Sequence, residues 1–155
     1  QSLSVLANAL AVRNNSTLEL NLNHNNVTWV GVRALVDSNV EVMKTLTKLC
    51  LNNNRIGNEG ATILAVALRR NAIPNFKRLD LQLCGICDDG FAALMSALER
   101  NDSLQILDLK HHHFGERGYM ALAKSLPNIK GLQQIEITAY GCLQSTTLSL
   151  LLEGF

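Results

Sequence analysis

Four cysteines in 155 residues are too few to staple a small secreted scaffold. A formal net charge of +1 gives no chain-wide electrostatic grip on nucleic acid or anionic lipid. The longest apolar runs, such as Leu148–Leu152, are far too short to cross a bilayer, and nothing resembles a signal or transit peptide. No membrane insertion is expected, and the thinness in cysteine favours a reducing, cytoplasmic or otherwise intracellular setting. Against that setting, Asn14, Asn15, Asn26 and Asn101 each open a formal glycosylation acceptor, as chance provides in so asparagine-rich a chain. No glycine-rich phosphate loop and no serine, cysteine or histidine grouping suggests a catalytic triad. The sequence therefore implies neither an enzyme nor a cofactor. Hydrophobic content of 47% with no linker or low-complexity stretch fits one domain over residues 1–155.

What the chain has in abundance is one phrase, repeated. Leu20-Asn-Leu-Asn-His-Asn25 returns as Leu49-Cys-Leu-Asn-Asn-Asn54, Leu79-Asp-Leu-Gln-Leu-Cys84 and Leu107-Asp-Leu-Lys-His-His112, with a degenerate copy at Ile135-Glu-Ile-Thr-Ala-Tyr140. The intervals are 29, 30, 28 and 28 residues. A fixed period of this size means stacked supersecondary units. Period-2 alternation puts Leu49 and Leu51 on one face of a short strand and Cys50 on the other. Stacked in parallel, such strands bury a ladder of leucines worth roughly 1.5–3 kcal/mol each. The asparagine closing a phrase can satisfy the backbone of the turn that leaves the strand. Cys84, His112 and Tyr140 hold that place later, so the asparagine ladder should break there.

The second half of each unit has helical spacing: Leu64 with Leu68, Leu94 with Leu98, Leu122 with Leu126. Glycines recur at Gly31, Gly60, Gly90 and Gly118. Acids gather at the expected helix starts (Glu59, Asp88, Asp89, Glu116) and bases near the ends (Arg69, Arg70, Arg100, Lys124), as the helix dipole favours. Pro74 and Pro127 fall in the links. Parallel strands alternating with helices give a right-handed α/β solenoid of about five and a half units. Both ends look cut within a unit. Gln1–Asn15 reads as the helix half of a preceding unit, and Thr146–Phe155 as part of another helix, with Thr146 where the recurring glycine belongs. That suggests a fragment of a longer array.

Leu46–Asn71 resembles the leucine-rich repeat of the ribonuclease-inhibitor-like class almost letter for letter. The resemblance extends over nearly the whole chain, departing in repeat one, where Asn39 enters an apolar lane. It implies a horseshoe with strands on the concave side and helices on the convex side. It also implies a non-catalytic scaffold that binds another protein, within a larger protein or assembly. Its contact residues would be Glu19, Asn21, Lys48, Cys50, Arg78, Asp80, Asp108, Lys110 and Glu136. Two other readings belong to different classes: a GTPase-activating regulator of the Ran type, to which no catalytic position can be matched, and a structural subunit packed into a large assembly.

Several groups tempt toward chemistry. Cys84-Gly-Ile-Cys87 precedes a helix as a redox pair would, but the repeat explains both positions and no second pair completes a zinc site. Cys142 falls in the lane of Ile56 and Ile86 and reads as a small buried hydrophobe. Of His111, His112 and His113, the middle one should face inward; alternating directions prevent all three from closing on one ion. Asp80, Asp108 and Glu136 share one outward column, about 5 Å apart. They form an acidic lane suited to a basic partner, unless Lys48 and Arg78, diagonal to Asp80, neutralise part of it. Trp29 stands where Asn58 stands in repeat two. It is either an interface anchor or, the favoured expectation, packed under Val36–Val42. Phe91 and Tyr119 should fill space between neighbouring helices.

Overall fold

A computed structural model describes residues 17–37, 40–140 and 145–151, with side chains described over 17–37 and 43–138. Five short parallel strands lie in chain order: β1 (Leu18–Asn21), β2 (Leu46–Cys50), β3 (Arg78–Asp80), β4 (Ile106–Leu109) and β5 (Gln134–Tyr140). Between them run α1 (Trp29–Val36), α2 (Val40–Thr45), α3 (Gly57–Arg69), α4 (Asp88–Leu98) and α5 (Glu116–Ser125). Strand register follows the phrase: Leu20 pairs with Leu49, Leu49 with Leu79, Leu79 with Leu107, and Leu107 with Ile135. Leu49, Leu79, Leu107 and Ile135 are buried, as are Leu51, Leu81, Leu109 and Ile137 behind them. The helices close the other side through Leu64, Leu68, Leu94, Leu98 and Leu122. This is the expected parallel-strand α/β solenoid.

The helix start is tied to the preceding coil, and the recurring glycine allows it. A Cβ on Gly90 would stand 2.7 Å from Asn58 Oδ1, and one on Gly118 2.7 Å from Asp88 Oδ1. Phe91 fills the space behind, stacked on Phe114 with ring centroids 4.1 Å apart. Tyr119 packs at the edge of the core, its hydroxyl buried with no hydrogen-bond partner among the described residues. Helix α5 stops at Ser125 because Pro127 forces a short 3-10 turn over Leu126–Asn128.

Two expectations need correction. Repeat one carries two helices, α1 and α2, the second running straight into β2, where strands alternating with single helices were expected. The helix expected from Thr146 is strand β6 (Ser145–Leu151), antiparallel to β5. The reason is local: β-branched Thr146 and Thr147 precede Leu148-Ser-Leu150, a period-2 pattern, and the register sets Leu148 against Ile137 and Leu150 against Ile135. The expectations for Gln1–Asn15, Asn39 and Cys142 lie outside the described residues.

Candidate functional site

The strands build the two outward columns in the expected register. One runs Glu19, Lys48, Arg78, Ile106, Gln134; the other runs Asn21, Cys50, Asp80, Asp108, Glu136. Their accessibility differs from a uniform acidic lane. Glu19 and Asn21 are exposed, Lys48, Arg78, Lys110 and Glu136 half-buried, and Cys50, Asp80 and Asp108 buried, Asp108 to 1%.

The buried carboxylates stand because each is paired, as burial of charge demands. Arg78 Nε donates to Asp80 Oδ1 and Oδ2 at 2.9 and 3.1 Å from two positions along the same strand. The Cys50 thiol donates to Asp80 Oδ2 at 3.2 Å. Asp108 accepts from the Gln82 side-chain amide and the Lys110 backbone amide, and its Oδ2 lies 3.3 Å from Lys110 Nζ. The same ammonium meets Glu136, which also takes Gln134 Nε2 at 2.7 Å. Arg78 is held above its ordinary range mainly by its bond to Asp80, and Lys110 mainly by its bond to Glu136. Burial, then the Asp80 bond, pushes the Cys50 thiol up to about 11, leaving it protonated and unreactive. Arg78 and Lys110 thus balance two of the lane's three carboxylate charges, the single Lys110 ammonium being shared by Asp108 and Glu136, and Lys48 makes no ion pair with Asp80.

Behind the concave face lies the turn lane. Asn54 Nδ2 donates to Leu51 O and Leu22 O at 2.7 and 2.9 Å, while its Oδ1 accepts from the Val27 and Asn25 amides at 2.8 and 3.1 Å. His112 reproduces the arrangement in another chemistry. Its Nδ1 donates to Leu109 O at 3.1 Å, three residues back, and its Nε2 accepts from the Cys84 amide at 3.1 Å. That pairing needs the neutral Nδ1–H tautomer, and burial lowers the imidazole pKa accordingly. His111 and His113 are exposed on either side. Among the described residues no group of three or more histidine, cysteine, aspartate or glutamate side chains could hold a metal ion.

Cys84 and Cys87 are free thiols, one buried and one exposed. Cys84 donates to Leu51 O at 3.1 Å, and burial pushes it up to about 11 against a smaller pull from the Asn54 and Asn53 amides. A redox pair needs the opposite shift.

Trp29 is the first residue of α1 and 45% exposed, so the favoured expectation of packing beneath Val36–Val42 does not hold. It lines a hollow of about 500 Å³ with Arg33, Asn58, Glu59, Thr62, Ile63 and Asp89. Its column carries a structural role that the phrase alone did not reveal. Asn58 Oδ1 accepts from the Cys87 and Gly90 amides at 2.8 and 3.2 Å, and Asp88 Oδ1 from the Gly115 amide at 2.7 Å, capping the helix of the next coil. An indole has no acceptor and cannot do this. The matching column positions of Asn58 and Asp88 were the available signal.

The parallel-strand solenoid with a ladder of turn-satisfying residues defines a repeat protein, and the Leucine Rich repeat family matches residues 14–36, 42–65, 72–95 and 100–123, more than half of the chain. The chain belongs to that family. It is 32% identical to mouse ribonuclease inhibitor over 130 residues, 80% of this chain and 28% of that protein. It is 39% identical to human NACHT, LRR and PYD domains-containing protein 2 over 87 residues, covering 55% and 8%. Mouse centrosomal protein of 78 kDa is 34% identical over 84 residues, covering 54% and 10%. The chain thus spans about a quarter or less of each relative. In fold it is similar to leiomodin-1 actin-binding site 2 (TM-score 0.73, 21% identity, 88% of this chain and 78% of that one). It is likewise similar to the Caenorhabditis elegans tropomodulin C-terminal domain (TM-score 0.74, 16% identity, 92% and 86%). Among the described residues no helix is long and apolar enough to cross a membrane.

Proposed function

We propose that the chain is a non-catalytic protein-binding module whose partner contacts the outward strand columns. The observation that carries this reading is the paired, preordered array over Arg78, Asp80, Gln82, Asp108, Lys110, Gln134 and Glu136. Side chains already fixed in one arrangement lose little conformational entropy when a partner arrives. Within that array Asp80 and Asp108 act as internal braces. Glu19, Asn21, Lys48, Arg78 and Lys110 present the accessible atoms. With two of its three acids balanced, this face suits a mixed polar surface and not only a basic one.

Photo-crosslinking tests the assignment. A photoreactive residue at Glu19 or Asn21 should trap a discrete partner in native extract, and one at the exposed helix positions Thr62 or Ser96 should not. Crosslinks from Thr62 or Ser96 alone would move the contact to the convex side and favour docking into an assembly. Single-turnover GTP hydrolysis by a panel of small GTPases should be unchanged by the chain; acceleration of any one would replace the binding reading with the GTPase-activating one.

A further inference from the structure

The turns that leave β1 to β4 carry a feature that strand stacking does not require. His24, Asn53, Leu83 and His111 occupy one column, and all four have φ between 53° and 62°. Histidine and asparagine visit this left-handed region comparatively readily, whereas for a bulky leucine it is a real outlier. Leu83 is also 53% exposed, so burial offsets only part of that strain. A large apolar side chain kept both strained and wet is out of place in this column. Backbone outliers of this kind concentrate where a ligand or partner is met.

Beside Leu83 lies a hollow of about 530 Å³, lined by Asn26, Asn53, Asn54, Arg55, Gly57, Cys84 and Gly85 as well. Arg55 is the one charged residue in that lining. It is exposed and pairs with no acid among the described residues, while its backbone is pinned by its amide bond to Val27 O at 2.9 Å. Gly85, with φ 68°, leaves open space where a side chain would stand. The loops 22–28, 51–58, 81–87 and 109–115 contain no aspartate or glutamate, but do contain Arg55, Lys110, His24, His111 and His113. Acids resume with the helices, at Glu59, Asp88 and Glu116. The loop edge beside Leu83 therefore carries one cation free of any acid among the described residues, Arg55, while Lys110 is held by Asp108 and Glu136 and the 81–87 loop has no charged residue of either sign.

We infer that this edge is a second docking surface, for an acidic segment of a partner protein that receives Leu83 in an apolar cleft and places a carboxylate on Arg55. Arg55 offers the bidentate fork that a carboxylate takes. The neighbouring hollow is large enough for one or two side chains of the arriving segment. The inference extends the binding-module reading to a new surface and does not use the strand columns.

The test is selection of random twelve-residue displayed peptides on the immobilised 155-residue chain. Sequences recovered should be enriched in aspartate or glutamate beside leucine, isoleucine or phenylalanine. They should bind Leu83→Asn and Arg55→Glu at least tenfold more weakly, and Ser96→Glu, at an exposed helix position, unchanged; crosslinking from Glu19 and Asn21 is read separately, so failure here is distinct from failure of the strand-column reading. Leu83→Asn should meanwhile raise the thermal midpoint by about 2 °C, because relieving the left-handed leucine stabilises the fold; that rise shows that lost binding is not lost folding. Basic recovered sequences, no enrichment, or equal binding to both loop variants would overturn the inference. So would a concentration-dependent dimer in sedimentation that Leu83→Asn abolishes, since a second copy would then be the occupant.

Discussion

Two lanes that run side by side along the turns obey opposite rules. At Asn54, Cys84 and His112 of one lane the side chains are buried and chemistry varies, but a buried polar group faces the backbone at each of these three coils. In the lane of His24, Asn53, Leu83 and His111 the side chains are exposed and the backbone is constant, left-handed at these four coils. The inner lane selects hydrogen-bonding capacity and tolerates a change of residue type. The outer lane selects a backbone conformation and leaves the side chain free for other uses. Neighbouring columns of one repeat can thus be fixed for different physical reasons.

The largest break in that comparison should come from Asn54→Ala. It leaves the Val27 and Asn25 amides and the Leu22 carbonyl without their partner and the Leu51 carbonyl with only the Cys84 thiol, and should cost about 3 kcal/mol in urea unfolding. His112→Leu comes next, at about 2 kcal/mol, because the Cys84 amide and Leu109 carbonyl go unpaired. Acid should imitate it in wild type. Protonation would turn His112 Nε2 from acceptor to donor, so the fold binds that proton less well than the unfolded chain does. With the folded pKa below the unfolded value of 6.5, this stability is fully present above pH 6.5 and is lost as pH falls through the lower folded pKa. The difference in unfolding free energy between wild type and His112→Leu should narrow over that range; a constant difference would refute the neutral-tautomer assignment. The smallest effect belongs to the outer lane. Asn53→Leu should cost about 1–2 kcal/mol through left-handed strain and loss of the side-chain bond to His24, and no cost would show that the column does not discriminate.

The period, the strand register and the buried ladder were all legible in the sequence, because each repeats and each repetition checks the last. Chemistry between columns was less so. Lys48 looked as suitable as Arg78 for neutralising Asp80, but the bond formed along one strand, at a spacing of two residues, where both side chains rise from the same face. Lys110, one column further along, took Asp108 and Glu136, a geometry that spacing alone does not specify. Cys50 shared the outward column yet is buried beneath its longer neighbours. Trp29 was placed correctly in the pattern, but whether an indole there turns in or out depends on packing across coils. Ser145–Leu151 misled because the expectation of another helix outweighed a plain alternation of residue types.

The cross-coil bonds have a direction. Asn54 and His112 reach back to the coil before them, whereas Asn58 and Asp88 reach forward to the one after. Removing a coil from one side therefore orphans turn amides, and removing it from the other orphans the first amides of a helix. The array is vectorial, like a zipper whose two rows of teeth point opposite ways. Amide protons at the two kinds of junction should consequently exchange with solvent in a different order depending on which end opens first.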